Sequence, residues 1–373
     1  MPAEREKRIA PGGVIGIIGG GQLGRMTALA AARLGYRCHI FCPEADSPAA
    51  QVSAAATVAA YEDETALAAF ADAVDAVTFE FENIPAASVK LLCERTTVRP
   101  GWRALEISQD RRLEKAFLNG IGIATAPWHR VESDAELAAA IGDVGLPGLL
   151  KTARFGYDGK GQIMIRNEAD AAAARAALGN APAVFEGLVD FEREISVVLA
   201  RGVDGQIAAF DAVENRHRHN ILDVTTAPAP IPPSLAQEAQ AIAGRIAQDL
   251  SIAGLLAVEM FVTRDHRLLV NEIAPRPHNS GHWTMDACVT SQFEQFVRAV
   301  AGVPLGSPER LFDATMTNLI GDDVDQWPDL LRDPGARLHL YGKAPARPGR
   351  KMGHVNRLFP RMSGDRDKTA ARP

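Results

Sequence analysis

Cysteine is scarce in this chain of 373 residues: Cys38, Cys42, Cys93 and Cys288 follow neither paired metal-ligand spacing nor a disulfide framework. That excludes a small stapled secreted fold and reads as buried apolar residues in a reducing cytoplasm. Long hydrophobic runs are missing as well, none approaching the roughly 18 residues of a membrane span. The opening MPAEREKRIAPGG is charged and has no apolar core, so no signal peptide is expected. A basic excess is also lacking. The net charge of −6 argues against a general nucleic-acid binder. Internal repeats and low-complexity linkers are not evident, and the Ala-rich stretch near Ala171 reads as helix.

What the chain does have is 47% hydrophobic content and enough length for two or three domains with real cores. Its charge is uneven. Residues 335–373 hold ten Lys/Arg against two Asp, a local balance of +8, so the remainder stands near −14. A small basic module beside an acidic body suits capture of a phosphorylated metabolite; a solvated basic tail is the alternative.

The stretch that organises the chain is LLAVEMFVTRDHRLLVNEIAPRPHNSGHWT, residues 255–284. Two apolar runs flank RDHR and read as a β-hairpin. A turn centred between Asp265 and His266 puts Glu259 directly opposite Glu272, about 5 Å apart at Cβ. Two carboxylates that close need a shared proton or a cation, and embedded in apolar strands they suit Mg²⁺ carrying substrate phosphates. The following loop crowds Arg276, His278, Asn279, Ser280, His282 and Trp283 beside them. Solvated glutamates and a rigid Pro/Gly turn are the plainer readings of the two features.

Upstream, a strand at 14–18, the loop GGGQLG, a helix to residue 34 and a strand at 37–41 read as β-loop-α-β. Gly19, Gly21 and Gly24 fit GxGxxG, with Glu44 and Asp46 about 20 residues on, which suggests NAD. The same loop can bring helix N-terminal amides to any phosphate. A helix at 62–73 and a strand at 75–78 lead to Glu80 and Glu82, at a strand's carboxyl end where open parallel sheets bind ligands. QDRRLEKAFL, residues 109–118, forms an amphipathic helix with Arg111 and Lys115 four apart on one exposed face. GIGIATAP after it marks a boundary near residue 125.

LLKTARFGYDGKGQIMI places Lys151 at the end of an apolar strand, then a glycine-rich turn, then a strand at 162–165. This is the layout of a flap over polyphosphate, with Lys151 and Lys160 as point charges. It is not a Walker A loop, because GK[ST] followed by a helix is absent. Glu186 and Glu194 flank an apparent hinge, where a strand edge can grip adenine and an acid can hold ribose hydroxyls. ENRHRHN gathers Asn215, Arg216, His217, Arg218 and His219, whose i,i+2 histidines make a poor zinc site. Helices are expected at 234–250 and 292–301 and a strand at 315–320. Short strands surround a basic turn at 337–358, where Lys343, Arg350 and Lys351 cluster if the turn folds back.

GGGQLGRM, EFENIP, QDRRLEK, GYDGKGQ, NEIAPRPHNSGHWT and YGKxxxRPGRKMGH occur in the order seen in the ATP-grasp superfamily, and within it the chain resembles the N5-carboxyaminoimidazole ribonucleotide synthases of purine biosynthesis. The match covers residues 14–358. PHNSGHWT and GYDGKGQ carry its specificity. The resemblance implies an α/β and α+β fold. A Rossmann-like pre-ATP-grasp domain without NAD spans 1–108, a two-lobed ATP-grasp domain spans 109–310 with its flap lobe near 126–188, and a small basic β-rich module spans 311–373.

The family's chemistry implies attack of bicarbonate on the γ-phosphate of ATP, then transfer of the carboxyl unit of carboxyphosphate to the amine of 5-aminoimidazole ribonucleotide. By the same resemblance ATP contacts Arg111, Lys151, the loop Gly156, Tyr157, Asp158, Gly159, Lys160, Gly161 and Gln162, the hinge Glu186, Gly187, Leu188 and Val189, and Glu194, His217 and Asn271. Glu259 and Glu272 hold Mg²⁺. Many members place Asn two residues after the second glutamate, where this chain has Ala274, so no third protein ligand is expected there. Tyr157, Asp158, Lys160, Arg276, His278 and Asn279 line the acceptor and bicarbonate site, with Asp158 orienting the amine or taking its proton. Gln22, Leu23, Glu80, Lys343, Arg350 and Lys351 hold the ribose phosphate and its hydroxyls. A homodimer is implied by the family alone. The nearest rival is formate-dependent glycinamide ribonucleotide transformylase, which shares the fold and a similar PRPH loop. An NAD-dependent dehydrogenase and a non-catalytic nucleotide-binding module are the others.

Overall fold

The computed structural model describes residues 8–156 and 159–361. Its first unit alternates strand and helix: β1 (Val14–Ile18), α1 (Gln22–Arg33), β2 (Arg37–Cys42), β3 (Ala55–Val58), α2 (Glu64–Asp72), β4 (Ala76–Phe79), α3 (Ala86–Arg95), β5 (Thr97–Val98) and α4 (Trp102–Gln109). The strands form one parallel sheet in the order β3-β2-β1-β4-β5. Continuous apolar strands such as β1 and β4 are what a sheet covered on both faces requires. The order reverses beside β1, so the β1 and β4 loops open at the switch point where such sheets bind ligands.

α5 (Arg111–Gly120) begins at Asp110, whose side chain accepts the Arg112 backbone N–H at 2.9 Å. β6 (Trp128–Val131), α6 (Asp134–Val144), β7 (Gly148–Thr152), β8 (Gln162–Ile165), α7 (Ala171–Ala177) and β9 (Ala183–Gly187) then build a small antiparallel sheet in the order β6-β9-β7-β8. The expected flap is thus the hairpin of β7 and β8, with Lys151 paired to Gln162.

The large sheet follows: β10 (Phe191–Arg201), β11 (Ile207–Ala209), β12 (Val213–Arg218), β13 (Ile221–Ala227), α8 (Pro233–Asp249), β14 (Gly254–Thr263), β15 (Leu268–Ala274), α9 (Thr284–Ala287), α10 (Gln292–Ala301), β16 (Asp313–Ile320), α11 (Trp327–Leu330), β17 (Ala336–Leu340) and β18 (Lys351–Phe359). Its strand order is β15-β14-β10-β12-β13-β16-β18-β17, with β11 on β10. The C-terminal module therefore does not stand apart: β16 pairs with β13, and its strands continue the central sheet. ENRHRHN is another difference. Most of it is strand, so alternation sends Asn215 and His217 to one face and Arg216 and Arg218 to the other.

Strand alternation also decides where the cavity lies. On β10, Ile195, Val197 and Leu199 face the core under α8, with Leu256, Val258 and Met260 of β14 beside them. The opposite face carries Glu194 and Ser196. Deeper along that face, Val198, Ala200, Leu255 and Ala257 pack with Phe293, Phe296 and Val297 of α10 in a core that reaches β1 and α1. One end of the face is thus apolar and closed, the other polar and open. Among the described residues no helix is long and apolar enough to cross a membrane.

Candidate active site

The β14–β15 hairpin brings Glu259 opposite Glu272, but not by the simple turn the sequence suggested. Residues 264–266 form a three-residue loop in which the Thr263 N–H donates to the Arg267 carbonyl at 3.0 Å and His266 takes φ +61°. That loop pairs Val262 with Leu268 and Met260 with Val270, a register that would set Glu259 against Asn271. A bulge at Asn271 inserts one residue and restores the facing glutamates. Each is held by a cation-capable partner. Glu259 Oε1 lies 3.2 Å from His278 Nε2, and Glu272 Oε2 lies 3.3 Å from the Arg111 guanidinium. Burial would raise the Glu259 pKa, but the His278 ring, His217 and Lys351 hold it near 2.

Both glutamates line a cavity of about 600 Å³. Arg111, Lys151, Gly156, Gly159, Lys160 and Gln162 line it from the helix and flap, and Glu194, His217 and Asn271 from the sheet. Arg276, His278, Asn279, Gln22, Leu23, Glu80 and Lys351 close the other side. Gly161 takes φ +70° with Thr152 Oγ1 2.6 Å from where a Cβ would stand, so only glycine fits that turn. Tyr157 and Asp158 lie outside the described residues. Leu149, Phe191, Leu222 and Phe261 supply an apolar wall, the two phenylalanine rings stacked at 4.7 Å.

Other expected positions sit beside the cavity. Glu186 of β9 is buried behind Lys151, its Oε2 3.0 Å from Lys151 Nζ and its Oε1 3.2 Å from Lys115 Nζ, the latter an ion pair without good hydrogen-bond alignment. Burial acts to raise its pKa, yet Lys151 and Lys115 pull it down to about 2. Gly187, Leu188 and Val189 follow it at the end of β9, where Gly187 and Leu188 bond through their N–H groups to the carbonyls of Pro127 and Pro147. Lys343 and Arg350 reach the basic turn, as expected when it folds back. Lys343 Nζ donates to the Lys351 carbonyl at 3.0 Å, and Arg350 donates to the carbonyls of Ala344 and Pro345. Burial, with Arg350 and Lys351 nearby, lowers the Lys343 pKa to about 8 despite Glu80.

The glycine loop holds an anion of its own. Glu80, buried at the end of β4, accepts the backbone N–H groups of Gly21 and Gly24, the latter at 2.6 Å. Burial raises its pKa and the two amides offset part of that rise. Gly19 has φ +105°, and a Cβ there would stand 2.5 Å from Glu80 Cγ. The helix N-terminus that a dinucleotide phosphate would need is therefore filled by a side chain of the same chain. Glu82, expected from the sequence at the ligand-binding end of the parallel sheet, pairs with Arg276, Oε1 lying 2.9 Å from Nη2, and ties that sheet to the loop that follows β15.

Sequence reasoning missed Glu114 and Lys115 as interior groups. The face of α5 carrying Arg111, Glu114 and Lys115 is turned inward, Lys115 being 1% exposed. Glu114 lines the cavity and accepts the Ile273 N–H at 2.7 Å, capping the free edge of β15. Its pKa rises to about 8 through burial and the Glu272 charge. The available signal was the i, i+3, i+4 spacing of three charges on one helix face. In PHNSGHW, His278 and Asn279 face the cavity, whereas Ser280, His282 and Trp283 are packed beneath it, with the His282 ring 4.8 Å from that of His354 of β18. Both side-chain polar atoms of Asn279 are buried without a partner among the described residues.

A Rossmann-like sheet, a flap hairpin and a carboxylate pair on a long antiparallel sheet define an ATP-grasp ligase. Family models agree: residues 13–109 match a ribonucleotide synthetase preATP-grasp domain, 116–293 an ATP-grasp domain, and 314–364 a phosphoribosylaminoimidazole carboxylase C-terminal domain. The N5-carboxyaminoimidazole ribonucleotide synthase of Brucella melitensis biotype 1 is 52% identical over 95% of this chain and 98% of its own length. The crystal structure of an N5-carboxyaminoimidazole ribonucleotide synthetase in complex with ADP superposes with a TM-score of 0.92 at 44% identity, covering 94% of both chains. The Aspergillus clavatus enzyme, in complex with ADP and 5-aminoimidazole ribonucleotide, superposes with a TM-score of 0.88 at 30% identity and covers 94% of both chains. The chain belongs to the N5-carboxyaminoimidazole ribonucleotide synthase family.

Proposed function

We propose that this protein uses ATP and bicarbonate to carboxylate the exocyclic amine of 5-aminoimidazole ribonucleotide, releasing ADP and phosphate. The observation that carries the reading is that Glu259 and Glu272 open onto the same cavity as Lys151 and Lys160 on one side and Gln22, Glu80 and Lys351 on the other. Nucleotide and ribonucleotide chemistry thus share one chamber. A bicarbonate oxygen attacks the γ-phosphorus and ADP departs. The amine nitrogen then attacks the carbonyl carbon of carboxyphosphate, phosphate leaves, and the nitrogen loses a proton. Such phosphoryl transfer depends mainly on positioning and charge neutralisation.

Arg111, Lys151 and Lys160 would neutralise the triphosphate, and Glu194 with His217, paired at 2.7 Å, would hold the ribose of ATP. The wall of Leu149, Phe191, Leu222 and Phe261 suits an adenine ring. Two hard carboxylates on one wall, with phosphate oxygens and water to complete the shell, fit Mg²⁺, which would neutralise phosphate charge there. Arg276, His278 and Asn279 would orient bicarbonate and acceptor. Tyr157, Asp158 and the hinge Glu186, Gly187, Leu188 and Val189 are carried by resemblance. The basic turn of Lys343, Arg350 and Lys351 would take the ribonucleotide phosphate, and Glu80 its hydroxyls. A cytoplasmic homodimer completes the reading.

The deciding experiment supplies purified protein with ATP, magnesium and either acceptor. ADP release should require 5-aminoimidazole ribonucleotide and bicarbonate and should stop on chelation of magnesium. Release that depends instead on glycinamide ribonucleotide and formate would overturn the assignment.

A further inference from the structure

His278 is held from behind by a row of buried polar side chains. Its Nε2 faces Glu259, while Nδ1 lies 2.8 Å from the Ser280 hydroxyl and accepts the Ser280 backbone N–H at 3.3 Å. Behind Ser280, Ser196 Oγ of β10 is 2.7 Å away, Asn215 Nδ2 of β12 is 2.9 Å from Ser196 Oγ, and Thr225 Oγ1 of β13 is 3.0 Å from Asn215 Oδ1. All four side chains are buried, so each proton must find its acceptor inside the row. The row crosses three neighbouring strands, with Asn215 in register with Thr225.

The amide sets a direction, because one end only donates and the other only accepts. Thr225 must donate to Asn215 Oδ1, and Asn215 Nδ2 donates to Ser196. Ser196 keeps its own proton for Ser280, and Ser280 keeps its own for His278 Nδ1. Every bond points toward the imidazole. A ring nitrogen that accepts carries no proton, so the ring proton sits on Nε2, facing Glu259.

We propose that Thr225, Asn215, Ser196 and Ser280 form a one-way hydrogen-bond relay that fixes His278 as the Nε2–H tautomer, a standing donor to Glu259, with Asn215 the positioning residue that sets the direction. The proposal rests on the assigned activity only in placing Glu259 at the ATP site. The tautomer itself belongs to the free protein. Nε2, already protonated, neither ligates a cation nor accepts a proton from substrate. It holds one carboxylate oxygen and so fixes the orientation of Glu259. Cation binding falls to the carboxylate.

The test is ¹⁵N NMR of the histidine-labelled full chain without substrate, read beside steady-state kinetics. In the wild type His278 should show Nδ1 as the pyridine-like nitrogen and Nε2 as the protonated one. Asn215→Asp puts an acceptor-only group in the same shape, so Ser196 turns to donate to it and the row reverses. Nδ1 then loses the Ser280 hydroxyl as a donor while Nε2 keeps its proton against Glu259, so the pyridine-like Nδ1 signal should move downfield and kcat should fall about 10- to 100-fold, as for lost outer-shell partners of metal sites. Thr225→Val, isosteric and remote from the cavity, removes the donor that orients the amide. It should give a smaller downfield move of the Nδ1 signal and a smaller fall in kcat, and it keeps the test usable if the buried aspartate prevents folding. A wild-type ring protonated on Nδ1 overturns the proposal, as does an Nδ1 signal that stays unmoved in both variants. A moved Nδ1 signal with unaltered kcat overturns the positioning role. Because the ring signature is read without substrate, its failure is distinct from failure of the assigned activity.

Discussion

Glu186→Gln is the substitution whose outcome follows most directly from the geometry. The carboxylate lies between Lys151 Nζ at 3.0 Å and Lys115 Nζ at 3.2 Å, and all three groups are buried. An amide keeps the shape but removes the only charge the two ammonium groups share in these pairs, and its NH₂ end must face one of them. Removing one partner of a buried ion pair costs about 3–5 kcal/mol. At roughly 2–4 °C per kcal/mol for a unit of this size, the thermal transition of the nucleotide domain should drop by about 10 °C. Burial already lowers the Lys151 pKa, so without Glu186 it loses charge further. ATP binding should weaken about tenfold or more, the value of one charge-assisted hydrogen bond. The pH dependence follows from the sign of the shift. With a folded pKa near 2 against an ordinary 4.5, Glu186 stabilises the wild type above pH 4.5, and that contribution is lost as pH falls toward 2. The variant should lack this acid-sensitive component. Scanning calorimetry across pH 3–7 with ATP titrations reads each quantity, and a transition shifted by less than about 2 °C with unchanged ATP affinity would refute the reasoning.

Glu272→Gln should lower acceptor-dependent ADP formation by orders of magnitude while leaving the fold intact, since its carboxylate is partly exposed to the cavity; a rate within threefold of wild type would count against the metal assignment. Lys343 has a folded pKa near 8, below its ordinary 10.5, so the charged form is lost early as pH rises. The KM for 5-aminoimidazole ribonucleotide should climb above pH 8, and Lys343→Arg should move that rise upward; a flat KM from pH 7 to 9.5 would remove Lys343 from the phosphate site. Gly21→Ala places a Cβ 2.5 Å from Glu80 Oε1, so it should displace Glu80 from the helix α1 N-terminus and weaken ribonucleotide binding more than ATP binding. Equal losses for the two ligands would argue against a local role for Glu80.

Much of the fold was legible because hydrophobic period and turn residues are local signals. The expected helix at 292–301 coincides with α10, and the strand expected at 14–18 coincides with β1. β3 escaped notice because it is a short edge strand with little buried surface to impose a pattern. The C-terminal strands were expected and their pairing was not, since nothing in residues 313–359 announces that β16 docks on β13.

The carboxylate pair, the flap lysine and the basic turn were readable as chemistry because residue types cluster there within a few positions. What tertiary structure alone decided is which charges face inward. Arg111 and Lys115 look like a solvated helix face until β9 presents Glu186, and Glu82 looks like a loop acid until Arg276 arrives from the hairpin. Likewise Glu80 fills the glycine loop through contacts made 56 and 59 positions apart in the chain. Composition and spacing determined the kinds of chemistry available, because those are properties of neighbours along the backbone. The partners of each buried charge were settled by folding, because desolvation makes an unpaired charge too costly and selects whichever distant group can neutralise it.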